Sequence, residues 1–392
     1  MSARRPAAES LRIVVLGYLV RGPLGGAAWH HLQYTLGLSR LGHDVYFVED
    51  SDDYPSCYDP VQDCRGTDPS YGLRFAHDAF GGVGLGERWA YHDAHTQRWV
   101  GPSSDRVLDV CSSADLLIGF PGVSPLRPWF GEIPARALID ADPAFTQIRH
   151  LLDPAARAEA ETYTSFFSYG ENIASGRATV PDDGFPWQPT RQPLVPEAWP
   201  VTPGRPQGRF TCVMQWDSYE PREYAGRTYG MKSQSFGPYM ELPQRSGRVF
   251  ELALGSATAP RELLASKGWV VRDSRPPTRD PWSYQAYLRD SKAEFGVAKH
   301  GYVVSRCGWF SERSVSYLAS GRPVVVQDTG FTDWLQTDVG VLAFTDAEEA
   351  LAAIEAIDAD YAAHCHAARE IAEEYFHGRK VLSRLVEAAI AR

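Results

Sequence analysis

The chain is short of several things, and each shortage excludes something. Among its 392 residues no apolar run reaches the length needed to cross a bilayer, so stable membrane insertion is not expected. The opening "MSARRPAAES" lacks the apolar core of an export signal and reads as a disordered tail, 1–10. Cysteines number six, at 57, 64, 111, 212, 307 and 365, and none forms a C-x-x-C pair. Cys111, Cys212, Cys307 and Cys365 lie in or beside apolar segments, where a free thiol behaves as a small hydrophobe. A reducing, cytoplasmic protein without disulfides is expected. Basic residues are in deficit, 39 against 49 acidic, and the net charge of -10 repels nucleic acid. No solenoid repeat is present.

What remains is ordinary globular material, 44% hydrophobic, with 11 Trp. Length suggests two domains. "LRIVVLGYLV" (11–20) is the continuous apolar run of a buried parallel strand. A glycine-bearing loop, a helix containing Leu32, Leu36 and Leu41, and the strand "GHDVYFVED" complete a βαβ unit. Residues 51–100, rich in Asp, Tyr, Gly and Pro, read as a long functional insertion. The pattern resumes with "RVLDVCSSADLLIGFPG" and "ARALIDADP". Repeated Pro and Gly at 176–209 mark a linker, and a second α/β set begins at "RFTCVMQW". The expected architecture is two doubly wound Rossmann-like domains: 11–190, a Pro/Gly-rich hinge at 191–209, and 210–377, followed by a last helix at 378–392. Ligands should bind in the cleft, facing the C-terminal ends of both sheets.

The densest chemistry lies in "HGYVVSRCGWFSERSVSYLASGRPVVVQDTGF", 300–331, read as strand, loop, helix, strand and loop. Helix N-termini leave amides unpaired and favour anions. Ser311 is placed to cap a helix from about Glu312 to Ser320, with Arg313 and Ser314 in its first turn. Arg306 sits upstream in the loop, and Lys299 and His300 end the preceding strand. Gln327, Asp328, Thr329 and Gly330 follow the next strand toward the same cleft. The cluster suits a phosphate, although a capped helix with a solvated first turn uses the same residue types. Trp216, Ser218 and Tyr219, in "MQWDSYEP", are placed beside it.

These residues resemble the donor site of GT-B-fold glycosyltransferases. "SYLASGRPVVV" (316–326) is similar to that superfamily's "E-A-M-A-x-G-x-P-V-V", and "RCGWFS" (306–311) to the "HCGWNS" of its plant-type branch. "GRTYGMKSQSFGPYMEL" (226–242) resembles the "G-R…K-G" entry, with Lys232 at the phosphate-binding lysine. "GPLGGAAWHHLQYTLGLSRLGHDV" resembles the N-terminal opening. The resemblance spans most of the chain. It implies a nucleotide-sugar donor, UDP or dTDP, on the second domain, an acceptor on the first, and a last helix that crosses back to the first. The paired glutamates of the retaining branch would fall near Gly308 and at Ser316, so that motif is absent. The chain fits no defined branch, and its stereochemistry stays open.

Transfer with inversion needs a base and cations for the departing diphosphate. Candidates for the base are Asp142 and Asp140, at the end of "ALIDADP", and His30 and His31, at the start of the first helix. An Asp before Pro is also a common turn initiator, and paired histidines are also packing groups. Gly25 and Gly26 make a tight turn or admit the diphosphate. No metal is required, and "HDAH" (92–95) lacks further ligands of fixed spacing. The expected partners are a nucleotide sugar and a small, partly apolar acceptor, such as a natural-product scaffold, beneath the 51–100 segment; a homodimer is compatible with the composition. A nucleotide-sugar epimerase and a non-catalytic binding module are the alternatives.

Overall fold

The computed structural model describes residues 10–391, so the expected tail lies, but for Ser10, outside the described residues. The first sheet comprises β1 (Arg12–Leu16), β2 (Asp44–Asp50), β3 (Trp89–Asp93), β4 (Arg98–Val100), β5 (Leu116–Gly119), β6 (Ala135–Asp140), β7 (Ser165–Ser168) and β8 (Gln188–Pro189). Its spatial order is β8-β7-β6-β5-β1-β2-β3-β4. All neighbours are parallel except β3 and β4. Helices cover both faces of β1, which explains why Ile13 to Leu16 are apolar and buried without alternation.

The second sheet holds β9 (Phe210–Met214), β10 (Phe250–Leu254), β11 (Val270–Asp273), β12 (Ala293–Gly296), β13 (Val324–Gln327) and β14 (Val341–Phe344). Its order is β11-β10-β9-β12-β13-β14, all parallel. Successive strands add outward from β9 on one side and from β12 on the other. The crevice between those two strand ends is therefore the switch point where α/β sheets bind ligands.

The last helix, Gly378–Ile390, lies against the helix Gly25–Arg40 and against β6, so the chain ends on the first domain. A side chain at Gly37 would overlap Leu382, so glycine there sets how closely the two helices approach.

Three expectations need correction. Residues 51–100 are not a long loop. They contain a hairpin (Cys57–Asp59 with Cys64–Gly66), the helix Ser70–Gly82, and β3 and β4. The short runs "WAYHD" and "RWV" pair across a turn at Gln97, whose φ of 54° makes the reversal. The stretch 300–305 is a helix, His300–Ser305, not a strand. Its apolar "YVV" packs Tyr302 beside Trp309, with ring centroids 4.4 Å apart, instead of extending the sheet. The first half of the Pro-rich 191–209 segment is pinned rather than hinge-like. Leu194 and Trp199 are fully buried, and Val195 N donates to Gln33 Oε1 at 2.7 Å.

Candidate active site

At the switch point the second domain gathers cations over buried strand ends. Arg313 donates through Nε to Glu294 Oε1 at 2.6 Å and through Nη1 to the Val213 carbonyl at 3.2 Å. Glu294, the second residue of β12, is completely buried, and its Oε2 has no partner. Lys232 opens the short helix Lys232–Ser235 and reaches the Gln215 carbonyl at 3.4 Å. Burial, reinforced by the Arg313 charge, lowers the Lys232 pKa to about 8. The Glu312 charge offsets this only in part, and a phosphate would favour the ammonium further.

The helix Glu312–Ala319 starts here. Ser311 caps it as expected, its side chain accepting from Arg313 N at 3.2 Å. Ser314 is buried, and its hydroxyl has no partner. Ser311, Arg313 and Ser314 line one crevice with Gln327, Thr329 and Gly296. Gln327 is fixed by Ala298 N at 3.1 Å and by Tyr239 at 3.3 Å. Thr329 Oγ1 donates to the Trp309 carbonyl. The result is a helix start, one free hydroxyl and the Arg313 guanidinium facing a strand-end crevice, with Lys232 held at the neighbouring strand end by the Gln215 carbonyl.

Other expected donor residues are placed elsewhere. Arg306, in the left-handed region at φ 46°, pairs with Asp328 at 3.6 Å and Asp333 at 3.7 Å. It is half exposed and does not line that crevice. Asp328 also closes its own turn by accepting from Gly330 N at 2.8 Å. His300 Nδ1 accepts from Gly230 N at 3.4 Å. Trp216 is buried against Phe236, and Ser218 is exposed. Gly25 and Gly26 abut protein: a side chain on Gly25 would overlap the Asp280 carbonyl, and one on Gly26 would press on the Tyr284 ring. Their lack of a side chain lets the second domain's helix Pro281–Asp290 pack against the first helix. Trp29 Nε1 seals that contact by donating to the Pro281 carbonyl at 2.8 Å.

The base candidates separate cleanly. Asp140 is fully buried and fastens the loop after β6, accepting from Asp142 N at 2.9 Å, Gln147 Nε2 at 2.9 Å and Ser168 Oγ at 2.7 Å. Asp142 crosses the cleft. Its carboxylate takes Lys299 Nζ at 2.8 Å and both the Tyr219 and Tyr302 hydroxyls. Burial, with the Asp142 charge adding to it, pushes both of those phenols well above their usual range. His31 Nε2 accepts from Tyr18 N at 3.1 Å, and burial holds the ring neutral. His30 is different. It lies among the rings of His31, Tyr34, Phe120 and Tyr169 and lines a second crevice, between the domains, with Glu312 and Tyr284. Burial lowers its pKa, so a neutral imidazole faces the cleft.

Four participants were not expected from the sequence. Glu294 is the one charge in the apolar "AEFGVA", a signal that was there to read. Tyr302 and Tyr284 carried no signal. Asn172, buried in the first domain, donates through Nδ2 to the carbonyls of Arg306 at 3.1 Å and Gly330 at 2.9 Å, tying the second domain's loops to the first. His92 serves no metal geometry of its own: its Nδ1 meets Asp50 Oδ2 at 2.7 Å, and Arg127 closes on the same carboxylate. Among the described residues no group of three or more such ligands gathers, and all six cysteines are free.

No family model and no curated protein matches the sequence. Solved structures do match its shape. An alpha-glucosyltransferase in complex with UDP and a 13-mer DNA superposes with a TM-score of 0.59 at 11% identity, covering 98% of this chain and 100% of that one. HepE of Anabaena, with UDP and glucose, gives 0.57 at 10% identity over 97% and 100%. AviGT4, a glycosyltransferase involved in avilamycin A biosynthesis, gives 0.50 at 14% identity over 97% of each. Two Rossmann-like domains facing a cleft, closed by a terminal helix that returns to the first, give this chain the GT-B fold of those glycosyltransferases.

Proposed function

We propose that the protein transfers a sugar from a nucleoside-diphosphate sugar to a small hydroxyl-bearing acceptor. The observation that carries this reading is the meeting of Lys232, Arg313, the Ser311-capped helix end and the unpartnered Ser314 hydroxyl at the switch point of the second sheet. Cations and amides held in place there stabilise the charge that builds on a departing diphosphate. Among the donor classes we favour UDP, because two of the superposed enzymes carry it, with dTDP next.

On the acceptor side we assign His30 as the base. Its pKa is lowered by burial, its ring faces the cleft, and general-base catalysis by a positioned side chain contributes roughly 10²–10⁴ in rate. Asp142 is the weaker choice because Lys299 and two phenols already occupy its oxygens. The acceptor is a small molecule on this reading. The DNA in one superposed structure belongs to that enzyme, and a net charge of -10 disfavours a polyanion here. The free thiols fit a cytoplasmic enzyme.

Calorimetric titration with UDP, dTDP, GDP and ADP, on wild type and Lys232→Ala, tests the donor half. One nucleotide class should bind, and the substitution should weaken it at least tenfold. If none binds, the transferase reading fails. Turnover of the sugar with no second substrate would point to an epimerase instead.

A further inference from the structure

The crevice between the domains holds two side chains that arrive from opposite sides. His30 comes from the first turns of the helix Gly25–Arg40, and Glu312 is the first residue of the helix Glu312–Ala319. Tyr284, Gln33, Gln192 and Ser316 supply the rest of its polar lining. Glu312 faces solvent on its other side. Its place at the helix start groups it with the phosphate ligands by sequence, yet an anion in that role would repel a diphosphate. Its charge bears instead on His30, favouring the imidazolium, and on Lys232 beyond.

We infer that His30 and Glu312 form a catalytic pair assembled across the domain interface, with Glu312 as the positioning residue that stabilises protonated His30. The inference rests on the transferase reading above. In the step, the acceptor O–H gives its proton to an imidazole nitrogen of His30, and the acceptor oxygen bonds to the sugar's anomeric carbon. The bond from that carbon to the diphosphate oxygen breaks, and its electron pair leaves with the diphosphate toward Lys232 and Arg313. Buried imidazolium is costly in this setting: the neighbouring His31 is neutral, and Tyr34, Tyr169 and Tyr284 supply no negative charge, because burial keeps all three phenols protonated. Glu312 is the nearby anion on the opposite wall, and its exposure gives the proton a way out. The base is then competent only when the domains are closed, which couples proton abstraction to exclusion of water.

The test uses the full chain. With ¹³C-labelled histidine, the His30 resonance, assigned by its loss in His30→Asn, is titrated in wild type and Glu312→Gln without any substrate. Loss of the carboxylate should lower the His30 pKa, and the acidic limb of kcat/KM should move down in pH by the same interval. The value of kcat should fall roughly tenfold or more, while UDP binds no more weakly than to wild type, which checks that the variant is folded. Glu312→Asp should restore part of the shift. An unchanged His30 titration in a UDP-binding Glu312→Gln protein would overturn the pair. If wild type shows the coupling but transfers to no acceptor, the pairing stands and the transferase reading fails.

Discussion

Asp142 Oδ1 and Lys299 Nζ lie 2.8 Å apart, one on each wall of the cleft, and the Tyr219 hydroxyl accepts from the same ammonium at 2.9 Å. The Lys299 side chain is only 12% exposed and that of Asp142 33%. A charge-assisted bond in so sheltered a place contributes more than a surface pair. Lys299→Met should therefore destabilise the protein by about 1–3 kcal/mol in urea unfolding. Small-angle scattering should show a wider spread of domain separations. If neither changes, the knot does not hold the domains together.

The same geometry separates a latch from a base. Asp142→Asn keeps the shape, removes the charge and turns one of the two acceptor oxygens into a donor. It should lower transfer less than tenfold, whereas His30→Ala should lower kcat by roughly 10²–10⁴ with UDP affinity unchanged. The reverse ranking, read from initial rates at saturating donor, would make Asp142 the base.

Much of this arrangement is legible in the sequence. Apolar runs such as Ile13–Leu16 and Val324–Val326 announce parallel strands, because both faces are covered and no alternation is needed. The Ser311 cap was legible because capping is local chemistry. The misreadings share one cause. Arg306 looks like a phosphate ligand until Asp328 and Asp333, distant in the chain from its own loop's start, take up its charge. Gly25 and Gly26 look like a ligand-binding turn until the Asp280–Tyr284 segment occupies the space. The first depends on how two loops of the same domain fold together and the second on which segment of the other domain arrives opposite, and neither composition nor spacing encodes that.

The glycine pair gives a direct check. Gly25→Ala would drive a methyl group into the Asp280 backbone carbonyl, which has no flexible end to move aside. Overpacking of this kind costs about 1–3 kcal/mol. The loss should appear in urea unfolding, with UDP affinity within about twofold of wild type. A variant of normal stability that no longer binds UDP would return these glycines to the donor site.

Lys232 provides the pH dependence. Its pKa falls to about 8 in the folded protein, from an ordinary value near 10.5, with burial as the main cause and the Arg313 charge next. A base depressed in this way is charged below pH 8 at a cost to the fold. That cost is fully present below about pH 8 and relieved as pH rises from there toward 10.5, so the Lys232 contribution to stability improves with alkalinity. Diphosphate binding works the other way, because the ligand needs the ammonium. Below pH 8 Lys232 is already charged and binding takes up no proton. Above it each binding event must draw one from the buffer, and affinity should fall by roughly tenfold per pH unit until the bound-state pKa is reached. Calorimetry of UDP binding at pH 9 in buffers of different ionisation enthalpy should therefore show proton uptake of about one per site, absent at pH 6.5 and absent at both in Lys232→Met. Equal heats in all buffers at pH 9, in a wild type that binds UDP, would mean that Lys232 does not meet the diphosphate.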